Sequence, residues 1–205
     1  MKKCLLILTC VVALSSYLDG QDSAAYHQEI LDYRAELNRE FKDSSESPLP
    51  DENIPNFEGL EFFPVDPGFR IAAQLIRTPE SKPFEMPTST ERMARYRRFG
   101  LAVFTHDSVT DTLEVYQNLR LQNMEEYRDY LFIPFNDLTN GFDTYGGGRY
   151  LDTRVPEGDT LVIDFNKCYN PYCAYNSRYS CPIPPKANFL NMAIRAGVKN
   201  YHKEP

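Results

Sequence analysis

Between Leu131 and Pro185, short apolar runs are separated by glycine, proline and tyrosine in the stretches LFIPFNDLTNGFDTYGGGRYLD, VIDFNKCYNPYCAYN and YSCPIPP. This spacing constrains the fold more than any other feature of the chain. Gly146, Gly147 and Gly148 open positive φ angles and close backbone approach, while Pro171, Pro182, Pro184 and Pro185 fix φ and remove donors. Such punctuation excludes a long helix and calls for short strands joined by shaped loops. The same segment holds Asp137, Tyr145, Arg149, Asp164, Asn166, Lys167 and Asn170, the candidate functional constellation of the chain.

Upstream, Tyr26, Ile30, Tyr33, Leu37 and Phe41 recur at helical spacing behind Asp22 and Ser23, which predicts an amphipathic helix from Ala24 to about Lys42. Asp43 to Asn56, with three prolines, reads as a connector. Beyond Phe57 the period changes to two. Phe69 to Leu75, Phe99 to Val103 and Leu113 to Gln117 alternate as strands, with a hairpin turn at His106 to Thr110. Arg149 to Val155 and Leu161 to Phe165 alternate on either side of a tight PEGD turn and predict a second hairpin, and Asn191 to Ala196 predicts a last strand. These elements imply a mostly β, α+β-flavoured chain: an antiparallel sandwich or partly closed barrel over 57–205, preceded by a helix and connector over 21–56. The 13 phenylalanines and 14 tyrosines suit the core and rims of such a fold, and they are read as packing rather than as a stacking platform.

The order PFNDLTNGFDTYGGGRYLD, LVIDFNKCYNPYCAYN, YSCPIPP, followed by Asn188, Ile194, Gly197 and Lys199, resembles the bacterial domain of unknown function 1684 family over about residues 57 to 199. The resemblance implies a family without a mechanism. Cys168 departs from the family pattern, which has a small residue such as alanine there. That makes Cys168 the better candidate for the odd thiol; one sequence does not fix which two of the three pair, and the expected disulfide is Cys173 with Cys181, whose short spacing closes a small loop in an oxidising compartment.

That compartment is suggested by the N-terminus. Lys2 and Lys3 precede an apolar core from Leu5 to Leu14, too short for a membrane span, which reads as a secretory signal cleaved near Gly20. Ile7, Leu8 and Thr9 fit a lipidation box before Cys10 poorly, so no lipid is expected. Residues 1–20 hold two lysines and one aspartate, so cleavage moves the net charge from −7 to −8. An acidic chain whose one basic run is Arg95 to Arg98 is not expected to bind nucleic acid, and no second segment reaches spanning length.

For catalysis the inventory is thin. Of His27, His106 and His202, only His106 is a candidate general base, and the cysteine spacings lack the paired hooks of a zinc site. TYGGGRY lacks the Gly-Lys-Ser/Thr ending of a phosphate loop and leads into a strand, so no nucleotide or other cofactor is implied. Arg149 shares a strand face with Leu151 and Thr153, and an inward guanidinium requires a carboxylate or an anionic ligand. Three functions compete on this basis. The first is an exported module binding a small polar or anionic ligand through Tyr145, Gly146, Gly147, Gly148, Arg149, Asn166, Lys167 and Asn170. The second is a hydrolase or lyase working through Asp137 and Asp164 with Arg149 as clamp. The third is a structural envelope protein in which these residues only fix loops.

Overall fold

The computed structural model describes residues 4–201, with side chains described over 22–201; the segment read as a secretory signal has its side chains outside the described residues. Helix α1 spans Cys4–Lys42, and over the described side chains Tyr26, Ile30 and Phe41 are buried, with Tyr33, Arg34, Leu37 and Asn38 half-buried on the same side. Arg39 and Lys42 in its last turn complement the negative end of the helix dipole.

Seven strands form one curled antiparallel half-barrel: β1 Arg70–Arg77, β2 Phe84–Pro87, β3 Met93–His106, β4 Val109–Asn118, β5 Tyr130–Phe135, β6 Arg149–Arg154 and β7 Thr160–Asp164. The order is β6-β5-β4-β3-β1-β7, with β2 attached to β3. Of the two architectures open to the sequence, the chain thus takes the partly closed barrel. Alternation drives the curl: Ile71, Ala73 and Leu75 of β1 are buried between exposed neighbours, and they meet Leu113, Leu131, Ile133 and Leu161 inside. The β3–β4 hairpin turns at Asp107 and Ser108, both with positive φ (46° and 65°), as a two-residue turn matched to strand twist requires.

Two expectations fail for a reason visible in the hydrogen bonds. Residues 149–155 and 161–165 do not pair as a hairpin. β6 pairs with β5, with Arg149 opposite Phe135 and Arg154 opposite Tyr130, and β7 pairs with β1. The PEGD connection crosses the seam of the half-barrel, because each end is claimed by a different neighbour: Val155 N donates to Asp129 O (2.8 Å) and Leu75 N donates to Asp159 O (2.7 Å). Nor do residues 191–196 form a strand. The carbonyls of Ile194 and Ala196, together with that of Val198, are taken by the Arg149 guanidinium instead of by a neighbouring backbone.

The sheet has two apolar faces. Inside lies the main core; on the convex face Tyr96, Tyr116, Phe132 and Tyr150 form a second cluster, covered by the loop around Cys181. A third cluster, with Phe41, Leu49, Phe57, Leu60 and Tyr175, seats the end of α1 and the connector.

Candidate functional site

Alternation along β6 points Arg149 and Leu151 into the half-barrel, and Arg149 is completely buried. Its Nη2 donates to Asp137 Oδ2 (2.8 Å) and Ile194 O (2.7 Å), and its Nη1 donates to Ala196 O (2.6 Å) and Val198 O (3.3 Å). Both partners of the ion pair have no exposed side-chain surface. Asp137 Oδ1 accepts from Thr139 N (2.9 Å), Thr139 Oγ1 (2.6 Å) and Ile194 N (3.1 Å), so its charge is matched on both oxygens. Gly148, at φ +89°, makes the approach possible: a Cβ there would lie 2.6 Å from Phe135 O. This is a sealed network with no opening for a ligand.

Asp164 belongs to a different network. It accepts from the Tyr26 hydroxyl (2.9 Å) and caps the short turn after β7 through Asn166 N (3.1 Å). Asn166, fully buried, donates through Nδ2 to Asp66 O (2.8 Å) and accepts from Asp66 N (2.9 Å). Lys167 pairs with Glu29 of α1 (2.6 Å). Asp164, Lys167 and Arg70 line a cleft of about 170 Å³ at the β6–β7 seam. The structure therefore does not gather the two carboxylates around Arg149. His106 stacks on Phe69 at 4.8 Å, at the end of β3.

The glycine loop leads to the cysteines. Gly146 and Gly147 are exposed, and Tyr145 is half-buried beside Cys173. The expected Cys173–Cys181 disulfide is corrected here: Cys168, Cys173 and Cys181 are all free thiols. The spacing does bring Cys173 and Cys181 together, with Cys173 N donating to Cys181 Sγ (3.2 Å), but contact alone does not oxidise a pair. The sulfurs instead share a hydrogen bond. Cys181, with help from the Ser89 and Tyr145 hydroxyls, lowers the Cys173 pKa to about 6, while the proton it donates raises its own. Burial pushes the Cys168 thiol up to about 11.

The feature sequence reasoning missed lies on the other face of β6. Tyr150 and Asp152 alternate with Arg149 and Leu151, and they open onto a cavity of about 420 Å³ between α1, the sheet and the 169–182 loop. Tyr33, Tyr96, Tyr130, Tyr150, Tyr169, Tyr172 and Tyr175 supply much of its wall, with Leu37 and Phe41 of α1. Asp152 sits among them. Its Oδ1 accepts from the Tyr130 hydroxyl (2.6 Å) and its Oδ2 from the Tyr169 hydroxyl (2.8 Å). The surrounding protein raises the Asp152 pKa by desolvation, against the opposing effect of those two donors, yet the residue keeps accessible surface because it faces the cavity. The signal for it was register: Phe132 lies opposite Asp152 and Pro134 opposite Tyr150, which places aromatic side chains and one carboxylate on a common face. Asn170 is the one residue of the expected ligand set that lines this cavity.

Among the described residues no group of three or more His, Cys, Asp or Glu is placed to hold a metal ion, and no helix is long and apolar enough to cross a membrane. In comparisons with known proteins, the family model described as a protein of unknown function, DUF1684, matches residues 55–199. Among solved structures, the chain resembles the solution NMR structure of an uncharacterised protein from Haloarcula marismortui, at 31% identity and a TM-score of 0.67, over 87% of this chain and 96% of that one. No curated protein matches.

Two outcomes follow from the geometry. Arg149→Ala strands the Asp137 carboxylate and should lower the unfolding free energy by about 3–5 kcal/mol in urea titration, whereas the Arg149→Met/Asp137→Leu double variant, with neither charge left, should recover only the part due to the stranded charge, since the carbonyls of Ile194, Ala196 and Val198 still lose their donor. A single variant as stable as the wild type would contradict the burial of this pair. Alkylation of the native protein by iodoacetamide should select Cys173 over Cys168, with a rate that rises through a midpoint near 6 and moves upward in Cys181→Ala. A midpoint in the ordinary thiol range would rule out the shared proton.

Proposed function

We infer that this chain, which belongs to the DUF1684 family of proteins of unknown function, is an exported binding protein that holds a small polar organic molecule in the tyrosine-walled cavity beneath α1. One observation carries the reading: a cavity of about 420 Å³ whose apolar, aromatic wall surrounds the Asp152 carboxylate, which is held by two tyrosine hydroxyls and keeps accessible surface. Ligand sites have this character, with volumes of roughly 300–1,000 Å³, mainly hydrophobic linings and a few polar groups that fix orientation.

The ligand-binding role thus moves from the glycine loop to the opposite face of β6. Arg149 and Asp137 satisfy each other, and their contribution is to hold the fold. Export rests on the charged start and short apolar core of residues 1–20, and cleavage near Gly20 would leave every cavity residue of α1 in the mature chain.

A thermal-shift screen of small polar organic compounds against the purified protein should yield ligands that raise the melting temperature, and Leu37→Trp, which fills the cavity from α1, should abolish those shifts. Shifts that persist in Leu37→Trp would place binding elsewhere and refute this reading. For export, the intact mass of protein recovered from outside the cytoplasm should correspond to a chain starting at about Gln21 with no lipid on Cys10, and a mass that retains residues 1–20 would refute it.

A further inference from the structure

We propose that the cavity ligand is an organic cation, a protonated amine carried on a flat apolar or aromatic frame. The proposal rests on the reading of this cavity as a ligand site and adds the charge and chemistry of what fills it. Its lining contains three acidic residues, Glu36, Glu40 and Asp152, and no lysine or arginine. Glu36 is neutralised on the helix surface by Arg39 at 2.5 Å. Asp152 has no ion-pair partner: each oxygen receives one tyrosine hydroxyl, and the nearby Arg154, which favours the ionised carboxylate, is itself held by Asp129 at 2.7 Å.

The hydroxyls that contact it cannot lose their protons to relieve that charge. Burial and the charge of Asp152 together hold Tyr130 and Tyr169 well above the ordinary tyrosine range, so both remain donors. Carboxylate oxygens have about four lone-pair sites, and here two are used, so Asp152 retains acceptor capacity for a donor entering from the cavity. Asn170 also lines the cavity. It is almost fully buried, its Nδ2 donates to Lys199 O (3.0 Å), and its Oδ1 has no partner.

A ligand that matches this wall must bring hydrogen-bond donors and positive charge. An anion would meet an uncompensated carboxylate, and a neutral molecule would leave that charge unpaired. An ammonium group gains a charge-assisted hydrogen bond at Asp152, and the electron-rich ring faces around it favour cations as well. Lys167, which shares the seam cleft with Asp152, does not fill this role: it lies 5.8 Å from the Tyr33 ring centre and is held by Glu29 at 2.6 Å.

A matched trio separates charge from shape. The protein is titrated with 2-phenylethylammonium, 2-phenylethanol and phenylacetate, with affinities from calorimetry and the site from backbone amide NMR shifts. The ammonium ion should bind at least about tenfold more tightly than the alcohol, the increment expected of one charge-assisted contact, and phenylacetate should bind most weakly. Asp152→Asn should erase the preference for the ammonium ion while leaving the alcohol's affinity in place. The variant is expected to fold, since it removes a charge that burial disfavours. Glu40→Gln, at the cavity edge on α1, should weaken the ammonium ion by a smaller factor and serves as a second variant. The proposal is overturned if the alcohol or phenylacetate binds in the cavity as tightly as the ammonium ion, or if the preference survives in Asp152→Asn. In those cases the cavity remains a ligand site of different chemistry. If none of the three moves the amides of cavity residues, both the cation and the cavity reading fall.

Discussion

The fold depends on one buried guanidinium. Moving a charge of this size out of water carries an effective penalty of several kcal/mol, which an ion pair offsets only when its remaining hydrogen-bonding groups are also matched. Arg149 meets most of this demand through its two terminal nitrogens, with Asp137 and three main-chain carbonyls, while its Nε stays unpaired, and Asp137 is satisfied in turn by Thr139 and Ile194. The four guanidinium bonds do more than neutralise charge. Three of them tie residues 194–198, which bridge Phe62 only at Val198, to the inner face of the half-barrel. Gly197 follows from this packing: at φ +72° its missing Cβ would lie 2.4 Å from Cys168 Sγ.

From this anchor, strand alternation divides the work of β6. The inward residues, Arg149 and Leu151, stabilise the core, and the outward residues, Tyr150 and Asp152, build the cavity wall. Fixing Arg149 so firmly also fixes the register and height of Asp152, two pleats along on the other side. The Tyr130 and Tyr169 hydroxyls then reach it from two directions, one from β5 and one from the loop that bridges back to Tyr150. A rigid element thus presents the carboxylate, as precise recognition requires.

What was legible in the sequence follows the same division. Period-two patterning identified β1, β3, β4, β6 and β7, and put Arg149 on one strand face with Leu151, because core burial imposes that pattern directly. It could not say which strands were neighbours across the seam, since the short PEGD connection looks the same whether its flanking strands pair or close a curl. The carbonyl-to-guanidinium bonds that replace a last strand leave no side-chain pattern at all. Asp152 was passed over because its face is built of tyrosines, which in sequence resemble core and rim; the charge becomes informative only when cross-strand register places it among them. Sequence proximity did foretell the meeting of Cys173 and Cys181, but not their protonation, which depends on Ser89 from elsewhere in the chain and on Tyr145.

The cavity also depends on a segment outside the family-matched region. Helix α1 supplies Tyr33, Glu36, Leu37, Glu40 and Phe41 to its wall. Three polar contacts set the height of that helix: Tyr26 OH to Asp164 (2.9 Å), Tyr33 OH to Lys167 O (2.9 Å), and Asn38 Oδ1 accepting from Leu60 N (2.7 Å). Two of these end on residues that sequence reasoning assigned to a functional site, Asp164 as a catalytic candidate and Lys167 as a ligand contact. Their position gives them a different connection to function: by docking α1 they shape the cavity they do not line. Any change that lets α1 pull away removes one wall of the site while leaving the Arg149 network, and so the half-barrel, intact. The proposed binding site and the half-barrel therefore rest on different contacts, the first on the docking of the helix and the second on the buried pair.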